Sequence, residues 1–169
     1  MWCNVFIRQA EYIGMANIAQ SVNVISPLMT TKDGLVKQTT WMPYLLFCRY
    51  MRGHALAVHL QCGEYEGPTK PEWLRGKMET PWLDVSAAVS DDGAISLVVV
   101  NVHGIRSFPS LVEGIPVAAK VDVFTVTGPS VASVNTAEKS EVLIAESTWV
   151  AGGLYEFPKA SMTMLRWKP

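Results

Sequence analysis

The stretch from residue 83 to residue 103, LDVSAAVSDDGAISLVVVNVH, has the pattern of two antiparallel β-strands joined by a tight turn. Apolar residues alternate over 83–89 and again over 94–103, as is typical of strands that bury one face. Ser90-Asp91-Asp92-Gly93 separates the two halves, and its Asp-Gly pair favours the positive-φ backbone of a hairpin turn. This stretch therefore predicts a β-hairpin.

More strands are predicted on both sides of this hairpin. They are short apolar or alternating runs bounded by turn residues such as Gly128-Pro129 and Gly152-Gly153, and they cover residues 55–65, 118–126, 141–150, 154–157 and 161–167. Seven short antiparallel strands with frequent turns are the pattern of a β-sandwich. The fold class predicted for residues 55–169 is thus mainly β, an antiparallel, jelly-roll-like sandwich.

The first 54 residues have a different pattern. Helical spacing of apolar residues predicts a helix over about 3–20, and Pro27 ends anything helical before it. A short β-compatible run, Leu35 to Thr40, precedes a second helix that begins near Pro43 and ends at Gly53. A single strand between two apolar helices has no sheet to join. Residues 1–54 therefore look like the end of a larger α/β unit.

Composition excludes several classes of protein. Apolar residues make up 49% of the chain and charged residues 17%, so disorder is not expected. The net charge of −1 argues against nucleic acid as a partner, because phosphate binding needs clustered Lys and Arg. A long uncharged run, residues 13–31, contains Asn17, Asn23 and Pro27, so we interpret it as buried in protein and not as a membrane span.

No motif predicts a metal or cofactor. The three cysteines (Cys3, Cys48 and Cys62) form no CxxC, and the three histidines (His54, His59 and His103) have no metal-ligand spacing. Nucleotide-binding and serine-hydrolase motifs are absent from the sequence. We expect buried free thiols, no metal and no cofactor.

A few residues could still carry carbohydrate chemistry. Glu64 and Glu66 lie on one face of a predicted strand end and could form a glycosidase-like pair, although such acidic pairs are usually solvated. Trp73 and Trp82 could stack on sugar rings, but a role as anchors that seal a loop onto the sandwich is favoured. Gln38 is an amide at a predicted strand end with no neighbouring charge that explains it.

Three segments resemble the α-L-arabinofuranosidases of glycoside hydrolase family 51. They are MANIAQSVNVISPLMT (15–30) followed by KQTTWMPYLLFCRYMRGHAL (37–56), the hairpin 83–103, and ESTWVAGGLYEFPKASMTMLRW (146–167). The segments come in the family's order and together they cover nearly the whole chain.

The resemblance implies a (β/α)8 barrel followed by a C-terminal β-sandwich. Residues 3–20, 36–40 and 41–53 would be the last helix, strand and helix of the barrel, so that 1–54 is a barrel remnant and 55–169 the sandwich domain. The implied activity is removal of terminal, non-reducing α-L-arabinofuranosyl residues with retention. The family's two catalytic glutamates match no residue of this chain, which is therefore expected to be inactive alone.

Gln38 is the one site residue that the resemblance carries over. It matches a family glutamine that follows the eighth barrel strand and hydrogen-bonds the arabinose, a position where barrel enzymes place such residues. Lys37, Trp41 and Met42 depart from the residues usual beside it.

Three hypotheses remain open. The chain can be the C-terminal part of an arabinofuranosidase, with an arabinose-containing polysaccharide or oligosaccharide as substrate and a homo-oligomer as a possible state of the longer enzyme. It can be a stand-alone sandwich that binds carbohydrate through Trp73 or Trp82. It can also be a non-catalytic protein that docks its apolar helices on a partner.

Overall fold

The computed structural model describes residues 1–65, 71–74, 80–114, 116–118 and 120–169. In these ranges the fold has two short α-helices, one 3₁₀ turn and ten strands. The helices are α1 (Trp2–Arg8) and α2 (Trp41–Tyr50), with the 3₁₀ turn at Glu72–Leu74. The strands are β1 (Leu28–Thr31), β2 (Gly34–Lys37), β3 (His54–Leu56), β4 (Leu83–Val89), β5 (Ile95–Asn101), β6 (Phe108–Ser110), β7 (Lys120–Thr127), β8 (Leu143–Val150), β9 (Tyr155–Phe157) and β10 (Ser161–Trp167).

The largest element is a six-stranded antiparallel sheet in the order β3-β4-β5-β10-β7-β8. β10 pairs with β5 on one side and with β7 on the other, so it joins the two halves of the sheet. Two small antiparallel pairs, β1-β2 and β6-β9, complete the described strands. The prediction of a mainly β, antiparallel fold is confirmed.

One face of the large sheet packs into a sandwich core. Leu165 and Val123 are fully buried there together with Phe157 of β9. The chain segment from Leu56 to Cys62 packs on the same cluster, as does Trp167, whose indole Nε1 donates to the carbonyl of Pro116 at 3.0 Å. Burial of this apolar surface is the main force that holds the layers together.

The opposite face of the sheet is covered by helices. Met42 and Leu46 of α2 pack against Val98 and Met164 of the sheet, all four of them buried. The Tyr50 ring stacks on Phe124 at 5.1 Å. Because the sheet is covered on both sides, β4 and β10 are buried along almost their whole length and do not show the one-sided pattern of an exposed sandwich strand.

The hairpin prediction is confirmed in detail. Ser90 N–H donates to the carbonyl of Ala94 at 2.9 Å, and Gly93 N–H donates back to Ser90 at 2.8 Å. Gly93 has a φ of +80°, the left-handed conformation that the Asp-Gly signal predicts. The predicted strand over 55–65 is shorter than expected, since only His54–Leu56 is a strand and a single bridge joins Glu64 to Pro81.

The predicted helix over residues 3–20 is wrong beyond its first two turns. α1 ends at Arg8, and the expected buried run from residue 13 to residue 31 is largely exposed, including Met15 and Ile25. Gly14, Asn17 and the residues around them disfavour a helix, and the apolar side chains of this run find few partners in the described chain.

The lone strand predicted near residues 35–40 has a partner after all. β2 ends at Lys37 and pairs with β1, whose register is set by the two-residue turn at Lys32-Asp33. The sequence pattern does not indicate β1, because Leu28–Thr31 lies inside the uncharged run that is expected to be buried. The division into a barrel remnant (1–54) and a sandwich domain (55–169) stays a prediction. No described helix has the length and apolar character that crossing a bilayer requires.

Candidate functional site

Gln38 lies at the junction between the β1-β2 hairpin and α2. Its main-chain N–H donates to the carbonyl of Pro27 at 2.8 Å, and its own carbonyl accepts from Trp41 N–H at 2.9 Å. These bonds fix the backbone on both sides of the residue. The side chain is half-buried, so it is held in place and still borders solvent.

The Gln38 amide has one polar partner in the described chain. Nε2 donates to the carbonyl of Ser26 at 2.8 Å, and Oε1 accepts no hydrogen bond from any described residue. Ser26 is itself buried, and its hydroxyl is satisfied there, since it donates to the Ser21 carbonyl and accepts from Leu28 N–H at 3.0 Å. The arrangement leaves a fixed acceptor oxygen available to a hydroxyl donor.

A sandwich loop reaches the same junction. Asn135 Nδ2 donates to the carbonyl of Lys37 at 2.9 Å, one residue before Gln38. The same amide is fixed within its own loop, where Nδ2 also donates to the Val142 carbonyl and Oδ1 accepts from Val142 N–H, both at 2.9 Å. Sequence analysis missed Asn135, since no local pattern connects two residues that lie 98 positions apart.

A groove of about 570 Å³ lies between the two helices and the loop that follows α1. Phe6 and Ile7 of α1 line one wall, and Tyr44, Phe47 and Cys48 of α2 line the other. Residues 44, 47 and 48 of α2 thus line the groove, whereas Met42 and Leu46 face the sheet. Burial raises the pKa of the Cys3 thiol in this groove.

Three of the four acidic and aromatic carbohydrate candidates considered above lie within the described residues. Glu64 is exposed beside the bridge to Pro81, and Glu66 lies outside the described residues. Trp73 is 68% exposed. Trp82 is half-buried and its ring packs on His103 at 4.4 Å and on Tyr65 at 5.4 Å, which is the anchoring role that the sequence favoured.

The histidines and acidic residues form no cation site in the described ranges. No group of three or more His, Cys, Asp or Glu side chains there is arranged to hold a metal ion. His103 instead caps a loop, because its Nδ1 accepts from the main-chain N–H groups of Ile105 and Arg106 at 3.2 and 3.0 Å. Cys3, Cys48 and Cys62 are free thiols, but the predicted burial is wrong, because Cys48 is exposed and the other two are half-buried.

Comparison with known proteins places this arrangement in a family. A family model described as the α-L-arabinofuranosidase C-terminal domain matches residues 1–161. The chain belongs to this family.

Relatives within the arabinofuranosidases are similar over the whole chain. The chain is 54% identical over 168 residues to the probable α-L-arabinofuranosidase C of Aspergillus flavus, and 52% identical over 168 residues to the α-L-arabinofuranosidase C of Emericella nidulans. Each match covers 99% of this chain and 33% of the relative. The chain therefore spans about a third of the length of these arabinofuranosidases.

Solved arabinofuranosidases share the fold. The α-L-arabinofuranosidase of Thermotoga maritima, solved as an arabinose complex, superposes with a TM-score of 0.82 at 25% identity, over 99% of this chain and 37% of that one. The family 51 enzyme of Thermotoga petrophila gives the same TM-score and identity, over 98% of this chain and 36% of that one. The resemblance read from the sequence is confirmed.

Proposed function

We propose that this chain is the C-terminal part of a retaining α-L-arabinofuranosidase that removes terminal α-L-arabinofuranosyl residues from arabinose-containing glycans. The observation that carries the proposal is the match of nearly the whole chain to one third of enzymes named for that activity. Both catalytic glutamates are assigned to the part of the longer protein that this chain does not contain. The chain alone is then inactive, because it supplies neither the acid/base nor the nucleophile.

In this proposal Gln38 binds the arabinose. The Ser26 carbonyl holds its Nε2, so the amide plane is fixed before substrate arrives and Oε1 can accept from a sugar hydroxyl. A preformed acceptor binds the sugar with little loss of side-chain entropy. Gln38 orients the substrate, and the bond-breaking step is left to the two carboxylates.

The groove between α1 and α2 is assigned to contact with the rest of the enzyme. Its walls are apolar, and large apolar side chains next to it, such as Trp2 and Met15, are exposed in this chain. An exposed apolar surface of this kind is typical of an interface. We assign these two helices and the β1-β2 hairpin to the end of the catalytic barrel, where the remaining barrel would cover them.

A chimeric enzyme tests the proposal. Residues 1–169 replace the matching third of the Emericella nidulans enzyme, and hydrolysis of a chromogenic α-L-arabinofuranoside is measured for the chimera and for the 169-residue chain alone. We expect turnover from the chimera and none from the chain. Turnover by the chain alone, or an inactive chimera that folds normally, would refute the proposal.

Gln38 is tested in the same chimera. Gln38→Ala removes one uncharged hydrogen bond to substrate, so kcat/KM should fall by about tenfold. Gln61→Ala changes an exposed amide away from the junction and serves as the matched control, with no expected effect. Equal kinetics for the two variants would exclude Gln38 from the substrate site and leave the family assignment intact.

A further inference from the structure

β8, one of the two outer strands of the large sheet, is long and mostly exposed among the described residues. β8 runs for eight residues at one end of the sheet, and in the described chain it pairs only with β7. Six of its eight residues are exposed, including Leu143 and Val150. One edge of its main chain is thus left without a described strand partner.

This edge carries little of the usual protection against pairing. Natural sheets protect their edges with charged side chains, Pro, bulges or very short strands. β8 reads LIAESTWV, in which Glu146 is the one charged residue and there is no proline, and it pairs with β7 in continuous register from Leu143 to Val150. A regular edge of this length with a single charge can accept another strand when the register keeps that charge away from its own copy.

The sequence of β8 favours a second copy of itself as that strand. In an antiparallel pair, directly opposed residues point to the same face of the sheet. A two-fold axis perpendicular to the sheet keeps the helix-covered face of both copies on one side. Glu146 is on that face, since it pairs with Phe124, and Ser147 is on the other. Only residues of the same face can therefore oppose one another across the axis.

Two registers then pair nearly the whole strand, one centred on Glu146 and one centred on Ser147. The first puts two Glu146 carboxylates directly opposite each other, which is destabilising. The second puts Glu146 opposite Thr148, Ala145 opposite Trp149 and Ile144 opposite Val150. None of these pairs opposes like charges, and Ile144 with Val150 opposes two β-branched side chains.

We propose that two copies of this chain associate through β8, antiparallel and centred on Ser147, to form a continuous twelve-stranded sheet. The inference is independent of the proposed activity. A single added strand on each side is a small interface, so the dimer should dissociate on dilution. Its charge pattern gives a test of the register itself.

Two lysine variants at neighbouring exposed positions of β8 distinguish this dimer from association through another surface. Ser147→Lys puts two like charges directly opposite across the axis, and sedimentation equilibrium at low salt should show a dissociation constant raised by about fivefold. Thr148→Lys adds the same charge opposite Glu146 of the other copy, so dimerisation should be retained or tightened. Circular dichroism checks that both variants keep the sheet.

Charge reversal completes the test. An equimolar mixture of the Ser147→Lys and Ser147→Glu chains should dimerise more tightly than either chain alone, because opposite charges then meet at the axis. A monomeric wild-type chain would overturn the proposal. If both lysine variants associate as the wild-type chain does, the contact does not involve β8 and the groove is the remaining surface, so the proposal is overturned. If both variants weaken association equally, the register centred on Ser147 is excluded.

Discussion

Asn4 of α1 and Asp84 of β4 are joined by two hydrogen bonds across 80 residues of sequence. Asn4 Nδ2 donates to the main-chain carbonyl of Asp84 at 2.8 Å and to its Oδ2 at 3.0 Å. Asn4 is 0% exposed and Asp84 is 8% exposed. Ser86 donates to Asn4 Oδ1 at 2.8 Å, and Arg8 binds the other carboxylate oxygen of Asp84 at 2.7 Å. This network fixes the first helix to the second strand of the large sheet.

Asn4→Ala should lower the free energy of unfolding by about 1–3 kcal/mol, because it leaves buried polar groups of Asp84 and Ser86 without their partner. Urea unfolding followed by circular dichroism measures the change. Gln9→Ala, an exposed amide just beyond the same helix, is the control and should change little. Equal stability of the two variants would show that the network contributes nothing.

Asn135→Ala should weaken substrate binding without removing the sugar contact. The variant releases the Lys37 carbonyl, so the backbone next to Gln38 is less firmly held. In the chimeric enzyme we expect KM to rise and kcat to change little, with a smaller loss of kcat/KM than the roughly tenfold expected for Gln38→Ala. A loss of kcat with KM unchanged would contradict a positioning role.

Gly53→Ala should destabilise the fold by at least about 1 kcal/mol, since Gly53 has a φ of +104° and a Cβ there would lie 2.2 Å from the carbonyl oxygen of Val89. The residue follows α2 and permits the close approach to the end of β4. Gly153→Ala, where a Cβ would meet nothing within 4 Å, is the matched control. Thermal unfolding compares the two, and similar melting temperatures would exclude strain at Gly53.

Asp92 in the β4-β5 turn should titrate well below an ordinary aspartate. The Ser90 hydroxyl, which donates to Oδ1 at 2.5 Å, is the main cause of its lowered pKa, and Lys168 Nζ at 2.9 Å from Oδ2 adds to it. Because folding lowers the pKa of Asp92, its contacts with Ser90 and Lys168 stabilise the fold fully above the pKa of an unfolded aspartate, about 4. This stabilisation is lost as the pH falls below that pKa.

Carboxyl NMR titration measures this pKa directly. Ser90→Ala should move the Asp92 midpoint up towards the ordinary value, and Lys168→Ala should move it up by less. If the Asp92 midpoint is unchanged in Ser90→Ala, the lowered pKa of Asp92 has another cause.

Cys48 should react with a disulfide reagent faster than Cys3. Cys48 is exposed, whereas Cys3 is half-buried and burial raises the pKa of its thiol, which lowers its thiolate fraction near pH 8. Cys48→Ser should remove the fast phase, and Cys3→Ser should leave it. In the chimeric enzyme both thiols should become slower, because both line the groove assigned to the rest of the barrel.

The strands that the sequence predicts best are bounded by local turn signals in the sequence. β4 and β10 begin and end where they were predicted, at Leu83–Val89 and Ser161–Trp167, because turns or prolines bound them. β6 was missed, since Phe108–Ser110 contains a proline and its partners in β9 lie 45 to 49 residues later in the chain. The helix expected over 9–20 is wrong because apolar spacing alone does not supply the packing that stabilises a helix.

Gln38 shows the same limit for function. No local spacing distinguishes it from the other side-chain amides of the chain, so only the family resemblance singled it out. The contacts that fix it come from Ser26 and, through Lys37, from Asn135. Neither contact has a local sequence signal, because each depends on how the hairpin, α2 and the sandwich loop meet.

The position of β10 also constrains how the protein is made. Translation delivers β3, β4 and β5 first and β7 and β8 later, but the strand between the two groups comes after both of them. While the ribosome still holds residues 161–167, the two half-sheets have no common strand and expose the edges that β10 will occupy. The sheet can therefore close only after this segment leaves the exit tunnel, and until then a nascent chain presents edges that a chaperone or a neighbouring chain can bind.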